Sequence, residues 1–299
     1  MKFLNNLIVR SIPFVPDSLV RRIASRYVAG QTLEEACDTV QRLNLEGCLA
    51  TLDVLGEDIT DLSETEPTVA AYREALDAIA ARHLDSNISV KLTALGLKLD
   101  PAVCRRQFAR IVEAARTRGN FVRIDMEDSS VTEETIRVFL EARASTDRVG
   151  LALQAYLRRT ADDVRRAVAV KANVRVCKGI YVEPREIAFQ DREEIRESFA
   201  AAVEALLAAG CKVGIATHDE VLVARALATI RKLRLTPEAY EFQMLLGVAA
   251  RLRRRLVSEG HRLRVYVPYG QAWQAYSIRR LKENPSMAGH VIKGLFAGR

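Results

Sequence analysis

The chain has 299 residues, 49% apolar and 28% charged, a balance that excludes a disordered chain and leaves room for one large domain. No apolar run reaches the ~18–20 residues of a membrane-spanning helix, and five scattered cysteines without a CxxC pair argue against a disulfide framework or a zinc site. The net charge of +7 arises wholly from the stretch that begins at Leu246, and no RNP, zinc-finger or helix-turn-helix pattern accompanies it, which argues against nucleic acid as a partner.

In chain order, MKFLNNLIVRSIPFVP has a short apolar stretch broken by Arg10 and two prolines, with no small-residue cleavage site. It reads as a segment ahead of the main fold rather than a signal peptide. Residues 1–45 are expected to be an N-terminal helical segment that includes TLEEACDTVQRLN (32–44). Short β-branched runs then alternate with helical stretches. GCLATLDVL (47–55) leads to a helix at 67–83 with Pro67 in its first turn, and NISVKL (87–92) leads to one starting at Asp100-Pro101. FVRIDM (121–126) precedes a start at Thr132-Glu133-Glu134, and VGLALQ (149–154) and NVRVCK (173–178) follow. The helix expected at 191–210 has acids in its first turn and closes on Gly210. KVGIAT (212–217), YEFQML (240–245) and RLRVYV (262–267) complete the strands, while RLRRRL (251–256) reads as a solvated helix face.

The strands carry too few polar residues for a half-exposed sheet, as expected when both faces are buried. Eight of them alternating with helices predict an α/β protein with a single (β/α)8 barrel of the TIM type over residues 46–299. An open doubly wound sheet is the alternative, but no glycine-rich dinucleotide fingerprint follows the first strand.

A barrel gathers its chemistry at the carboxyl ends of its strands. Seven strands end in or carry polar residues there: Lys91, Asp125-Met126-Glu127, Gln154, Arg175 with Lys178, Thr217-His218-Asp219, Gln243 and Tyr266. After the last strand Tyr276, Arg279, Arg280 and Glu283 fall on one helix face, where two guanidinium groups suit a carboxylate or phosphate. His218 has no second His or acid at metal-ligand spacing, so no metal is expected.

The segments KLTALGL (91–97), RIDMED (123–128), LQAYL (153–157), RVCKGIY (175–181), ATHD (216–219), EFQMLLG (241–247), VYVPYG (265–270) and AYSIRRLKEN (275–284) together resemble the motifs of bacterial proline dehydrogenases. The resemblance is to the monofunctional enzymes and to the homologous domain of bifunctional proline-utilisation proteins, and it spans roughly residues 35–290. It implies a distorted barrel with a final helix over the active site, FAD as cofactor, and oxidation of L-proline to Δ1-pyrroline-5-carboxylate by hydride transfer from C5 to flavin N5. By position, Asp125 and Arg175 would be catalytic, and Lys91, Arg279, Arg280, Tyr266, Tyr276 and Glu283 would form the substrate pocket, Glu283 bracing the arginines. Met126, Gln154, Arg175, Lys178, Gly179, Ile180, Thr217 and His218 would contact flavin, with Ile180 standing where the family usually has alanine. The resemblance further implies a cytoplasmic enzyme that passes electrons to a quinone, with weak peripheral association at the inner face of the membrane through the basic C-terminal region. Two rival readings remain at this stage: a Schiff-base lyase or aldolase using Lys91 or Lys178, and a basic membrane or nucleic-acid protein led by the arginines of 251–264.

Overall fold

The computed structural model describes residues 26–274 and Tyr276. Helix α1 (Leu33–Leu45) opens on Thr32, whose hydroxyl accepts from Glu35 N while the Glu35 carboxylate accepts from Thr32 N. That reciprocal cap satisfies two backbone donors that the first turn cannot pair internally. Ala36, Cys37, Val40 and Leu43 recur on one face and join the barrel's own hydrophobic core.

Eight strands follow: β1 (Leu49–Val54), β2 (Ser86–Val90), β3 (Val122–Ile124), β4 (Val149–Gln154), β5 (Asn173–Cys177), β6 (Lys212–Ala216), β7 (Tyr240–Leu245) and β8 (Leu263–Tyr269). The intervening helices are α2 (Thr65–Ala81), α3 (Pro101–Thr117), α4 (Thr132–Ser145), α5 (Thr160–Ala169), α6 (Arg192–Ala208), α7 (Glu220–Lys232) and α8 (Ala250–Ser258). Each strand pairs in parallel with the next, and β8 returns to β1 in a register that sets Val265 beside Ala50 and Tyr266 beside Thr51. This closure makes the expected (β/α)8 barrel and rules out the open sheet.

Helix starts follow local chemistry. The Asp100 carboxylate accepts from Ala102 N and Val103 N ahead of Pro101, and Asp191 does the same for Glu193 N and Glu194 N. Two strands stop sooner than their apolar runs suggest. β2 ends at Val90, so Lys91 stands at the head of a 3-10 turn (Leu92–Leu95), and β3 ends at Ile124. Asp125 N still donates to Val90 O at 2.9 Å, which holds these two departing segments side by side.

The two mouths of the barrel differ. At the N-terminal floor Arg123 is 2% exposed and its guanidinium donates to Leu151 O, Asn173 O and Asn173 Oδ1 at 3.1, 2.5 and 2.6 Å. Beside it Arg264 makes two hydrogen bonds to the Glu241 carboxylate, at 2.7 and 3.1 Å. Helix α8 buries Leu252 and Leu256 and exposes Arg251, Arg254 and Arg255, which is the solvated basic face expected from its sequence. Among the described residues no helix is long and apolar enough to cross a membrane.

Candidate active site

The C-terminal mouth holds a cavity of about 340 Å³. Every sequence-predicted site residue among those described lines it. Lys91, Asp125, Arg175, Tyr266 and Tyr276 do so, as do Met126, Gln154, Lys178, Gly179, Ile180, Thr217 and His218. Arg279, Arg280 and Glu283 lie outside the described residues.

Asp125 is the hub. Its Oδ1 accepts from Arg175 Nη1 and from Ser89 Oγ, both at 2.5 Å, and its Oδ2 accepts from Tyr266 OH at 2.6 Å. Burial alone would hold the carboxyl protonated, but Arg175, then Lys91 and the two hydroxyls outweigh it and keep Asp125 below the usual carboxylate range. Burial and the Asp125 charge push Tyr266 far above the usual phenol range, so it keeps its proton and donates. The Arg175 guanidinium lies over the Tyr266 ring, 5.2 Å from its centroid, and its Nε donates to Gln243 Oε1 at 2.6 Å.

Lys91 Nζ donates to Asp53 Oδ1 at 2.7 Å and stands 3.9 Å from Asp125 Oδ2. Burial works against its charge, yet Asp53 and Asp125 prevail and raise the ammonium above its ordinary range. An amine held protonated in this way is a poor nucleophile, which removes the basis for Schiff-base chemistry at Lys91. At the cavity's other side Lys178 Nζ donates to Asp219 Oδ2 at 2.6 Å, and Arg196 grips the same carboxylate at 2.9 and 3.0 Å.

Backbone geometry places the remaining groups. Gly179 has φ +112°, and a Cβ there would run into the Tyr156 ring, so only glycine lets this segment turn between Lys178 and Ile180. His218 Nε2 accepts from Leu245 N at 2.9 Å, which ties the end of β6 to the end of β7 and puts the ring proton on Nδ1. Gln154 Nε2 donates to Glu127 O at 2.8 Å, and the Glu127 carboxylate receives the Thr93 amide at 3.1 Å and the Thr93 hydroxyl.

Three contributors escaped the sequence pattern. Asp53 is fully buried inside β1, the one strand without an obvious polar end, and the signal was its lone charge in the apolar run TLDVL. Ser89 is hidden by its neutrality. Tyr181 lines the cavity but stood only as the last letter of RVCKGIY. Among the described residues no group of three or more His, Cys, Asp or Glu side chains is arranged to hold a metal ion.

The sequence model of the family described as "Proline dehydrogenase" matches residues 36–293. Proline dehydrogenase 1 of Bacillus subtilis (strain 168) is 36% identical over 272 residues, 91% of this chain and 90% of the relative. The proline dehydrogenase of Deinococcus radiodurans is 32% identical over 281 residues, 92% and 91% of the two chains. A crystal structure of proline utilization A from Bdellovibrio bacteriovorus, inactivated by N-propargylglycine, shares the fold with a TM-score of 0.82 at 24% identity. The match covers 88% of this chain and 33% of that much longer one.

Proposed function

Because the chain belongs to the proline dehydrogenase family and is thus an oxidoreductase acting on a CH–NH donor, we propose that it oxidises L-proline to Δ1-pyrroline-5-carboxylate with FAD bound in the barrel mouth. The observation that carries this reading is one cavity joining Lys91, Asp125, Arg175 and Tyr266 to the Lys178-Gly179-Ile180 turn and the Thr217-His218 pair.

The donor set fits a flavin. Met126, Ala152, Met244 and Leu245 supply apolar wall, Gln154 and Thr217 supply hydrogen-bonding groups, and Lys178 supplies a cation. When bound, the flavin supplies the two-electron oxidant, a role no amino-acid side chain fills. Arg175 brings a positive charge fixed by Asp125 and Gln243, placed to stabilise negative charge that develops on reduction.

For substrate, Lys91 offers its ammonium to the proline carboxylate, with Arg279 and Arg280 assigned to the same task by family position and Glu283 to bracing those arginines. Tyr266 and Tyr276 line the space for the ring. The amine must be neutral before hydride leaves C5, because the iminium uses the nitrogen lone pair. Among the described residues the cations Lys91 and Arg175 are matched by Asp53 and Asp125. Arg279 and Arg280 therefore decide whether the filled pocket is positive enough to disfavour the ammonium. Electrons would pass on to a membrane quinone, the enzyme working in the cytoplasm with weak peripheral contact through its basic C-terminal region; the exposed Arg251 and Arg254 support that contact.

The test is spectroscopic. Purified protein should show flavin bands that bleach anaerobically with L-proline and not with D-proline. A yellow protein indifferent to proline would overturn the substrate, and a colourless one that takes up no FAD would overturn the whole reading.

A further inference from the structure

The side chains of β7 carry a polar connection from the barrel's floor to its mouth. Glu241 and Gln243 are two residues apart on one strand, so both point inward. Gln243 Nε2 donates to Glu241 Oε1 at 2.6 Å, and Gln243 Oε1 accepts from Arg175 Nε at 2.6 Å. Glu241 is in turn clamped by Arg264, which also donates to Ala50 O and to Asn87 Oδ1 at 2.5 and 3.1 Å.

The chemistry at each end of the Gln243 amide allows one orientation only. A guanidinium Nε is a donor and needs the amide oxygen, whereas a carboxylate is an acceptor and needs the amide nitrogen. Turned over, the amide would set N–H against N–H at Arg175 and oxygen against oxygen at Glu241. The space for the amide comes from Gly214, which sits level with Arg175 on one side and with Glu241 on the other. A Cβ at Gly214 would lie 2.5 Å from Gln243 Nε2 and 2.9 Å from its carboxamide carbon. No unusual backbone angle requires glycine at this position, so room for the amide is its physical reason. On the far side, Asp125 and Ser89 engage Arg175 through Nη1 alone. One-ended attachment leaves the guanidinium able to pivot; a second hold at Nε fixes its plane.

We propose that Glu241, on the barrel floor, is a positioning residue for the oxidation: it locks the Gln243 amide, and the amide locks the plane of Arg175. The inference rests on the flavin-dependent reading above and adds to it a group at the opposite end of the barrel from the cavity.

The experiment compares the flavin-loaded protein with its E241Q, Q243M, E241Q/Q243M and G214A variants. The rate constant for anaerobic flavin reduction by L-proline and the flavin midpoint potential are both measured. Unmodified protein that fails to bleach would sink the functional reading and not the lock, so that control comes first. E241Q and Q243M should each slow reduction on the order of tenfold, with apparent proline affinity changed less than threefold and the potential shifted negative. The double variant should be no slower than the slower single one, because Glu241 acts only through Gln243. G214A displaces the amide without touching a charge, so it should reproduce the slow rate even if E241Q is too unstable to isolate. Multiplying losses in the double variant, or G214A at the unmodified rate and potential, would overturn the proposal.

Discussion

Lys91 shows how much one buried partner decides. Its ammonium is held by Asp53 at 2.7 Å in a place where neither side chain meets water freely, Asp53 being fully buried and Lys91 6% exposed. Asp53→Ala should strand that charge and cost about 3 kcal/mol in a urea titration, together with a higher KM for proline. Unchanged stability would mean that the ion pair matters little. Glu127 makes a second residue-level case, because burial lifts its pKa from 4.5 to about 7 against the pull of the Thr93 hydroxyl and amide. The folded chain thus keeps a proton that the unfolded chain gives up. The stabilising contribution is complete below pH 4.5 and is lost as pH rises through about 7, a change of about 3 kcal/mol across that window. Glu127→Gln cannot ionise, so its stability should fall less than the parent's between pH 5 and pH 8; parallel curves would count against the shift. Lys91 and Asp125 were legible because charge just past a strand stands out from an apolar run, and Arg175, in the middle of β5, because RVCKGIY carries the family resemblance. Asp53 was not, because a charge one position inside a strand looks like part of the strand until its partner from the end of β2 is seen.

Elements were legible where their ends carry chemistry. Asp100-Pro101 and Asp191 start α3 and α6 with side-chain caps, and both starts can be read from the letters alone. Asp191→Ala should cost about 1 kcal/mol through the loss of bonds to Glu193 N and Glu194 N, seen as a lower denaturation midpoint with activity retained. Helix α7 was harder to read because its cap, Asp219, also anchors Lys178 and Arg196, so the letters ATHD look like a site rather than a helix start. The strand ends were blurred for a related reason. The sequence runs continue past Val90 and Ile124, where the regular ladder stops and one backbone bond, Asp125 N to Val90 O, joins side-chain contacts in holding the segments. The turn after β5 is the most demanding of these. Gly179→Ala would need a left-handed backbone and a displaced Tyr156 ring, at a cost of about 1–3 kcal/mol. A FAD titration monitored by fluorescence should show weakened binding; affinity equal to the parent's would mean that the turn does not shape the cavity.

At the scale of the whole molecule the barrel divides its labour between two mouths. Chemistry gathers where the strands end, and the floor is fastened by Arg123, which reaches from β3 to β4 and β5. Arg123→Met should lower the melting temperature by several degrees, on the order of 2 kcal/mol of lost hydrogen bonding, while proline turnover per folded molecule stays near the parent's. A large loss of turnover at full stability would move Arg123 into the working site. The barrel itself was legible from alternation, since eight buried runs separated by helices leave few other architectures. What no local pattern contains is the seam. Strand β1 is finished only by pairing with β8, and the chain ahead of the barrel is stitched to the same strand, with Ala29 N donating to Pro268 O and Gly270 N to Gly30 O. During synthesis, then, the earliest segments must wait for nearly the last. Until β8 is made the sheet cannot close, and any sheet formed from the earlier strands keeps unpaired edges at β1 and β7. A stop codon anywhere before β8 should leave an insoluble fragment for quality control rather than a smaller enzyme.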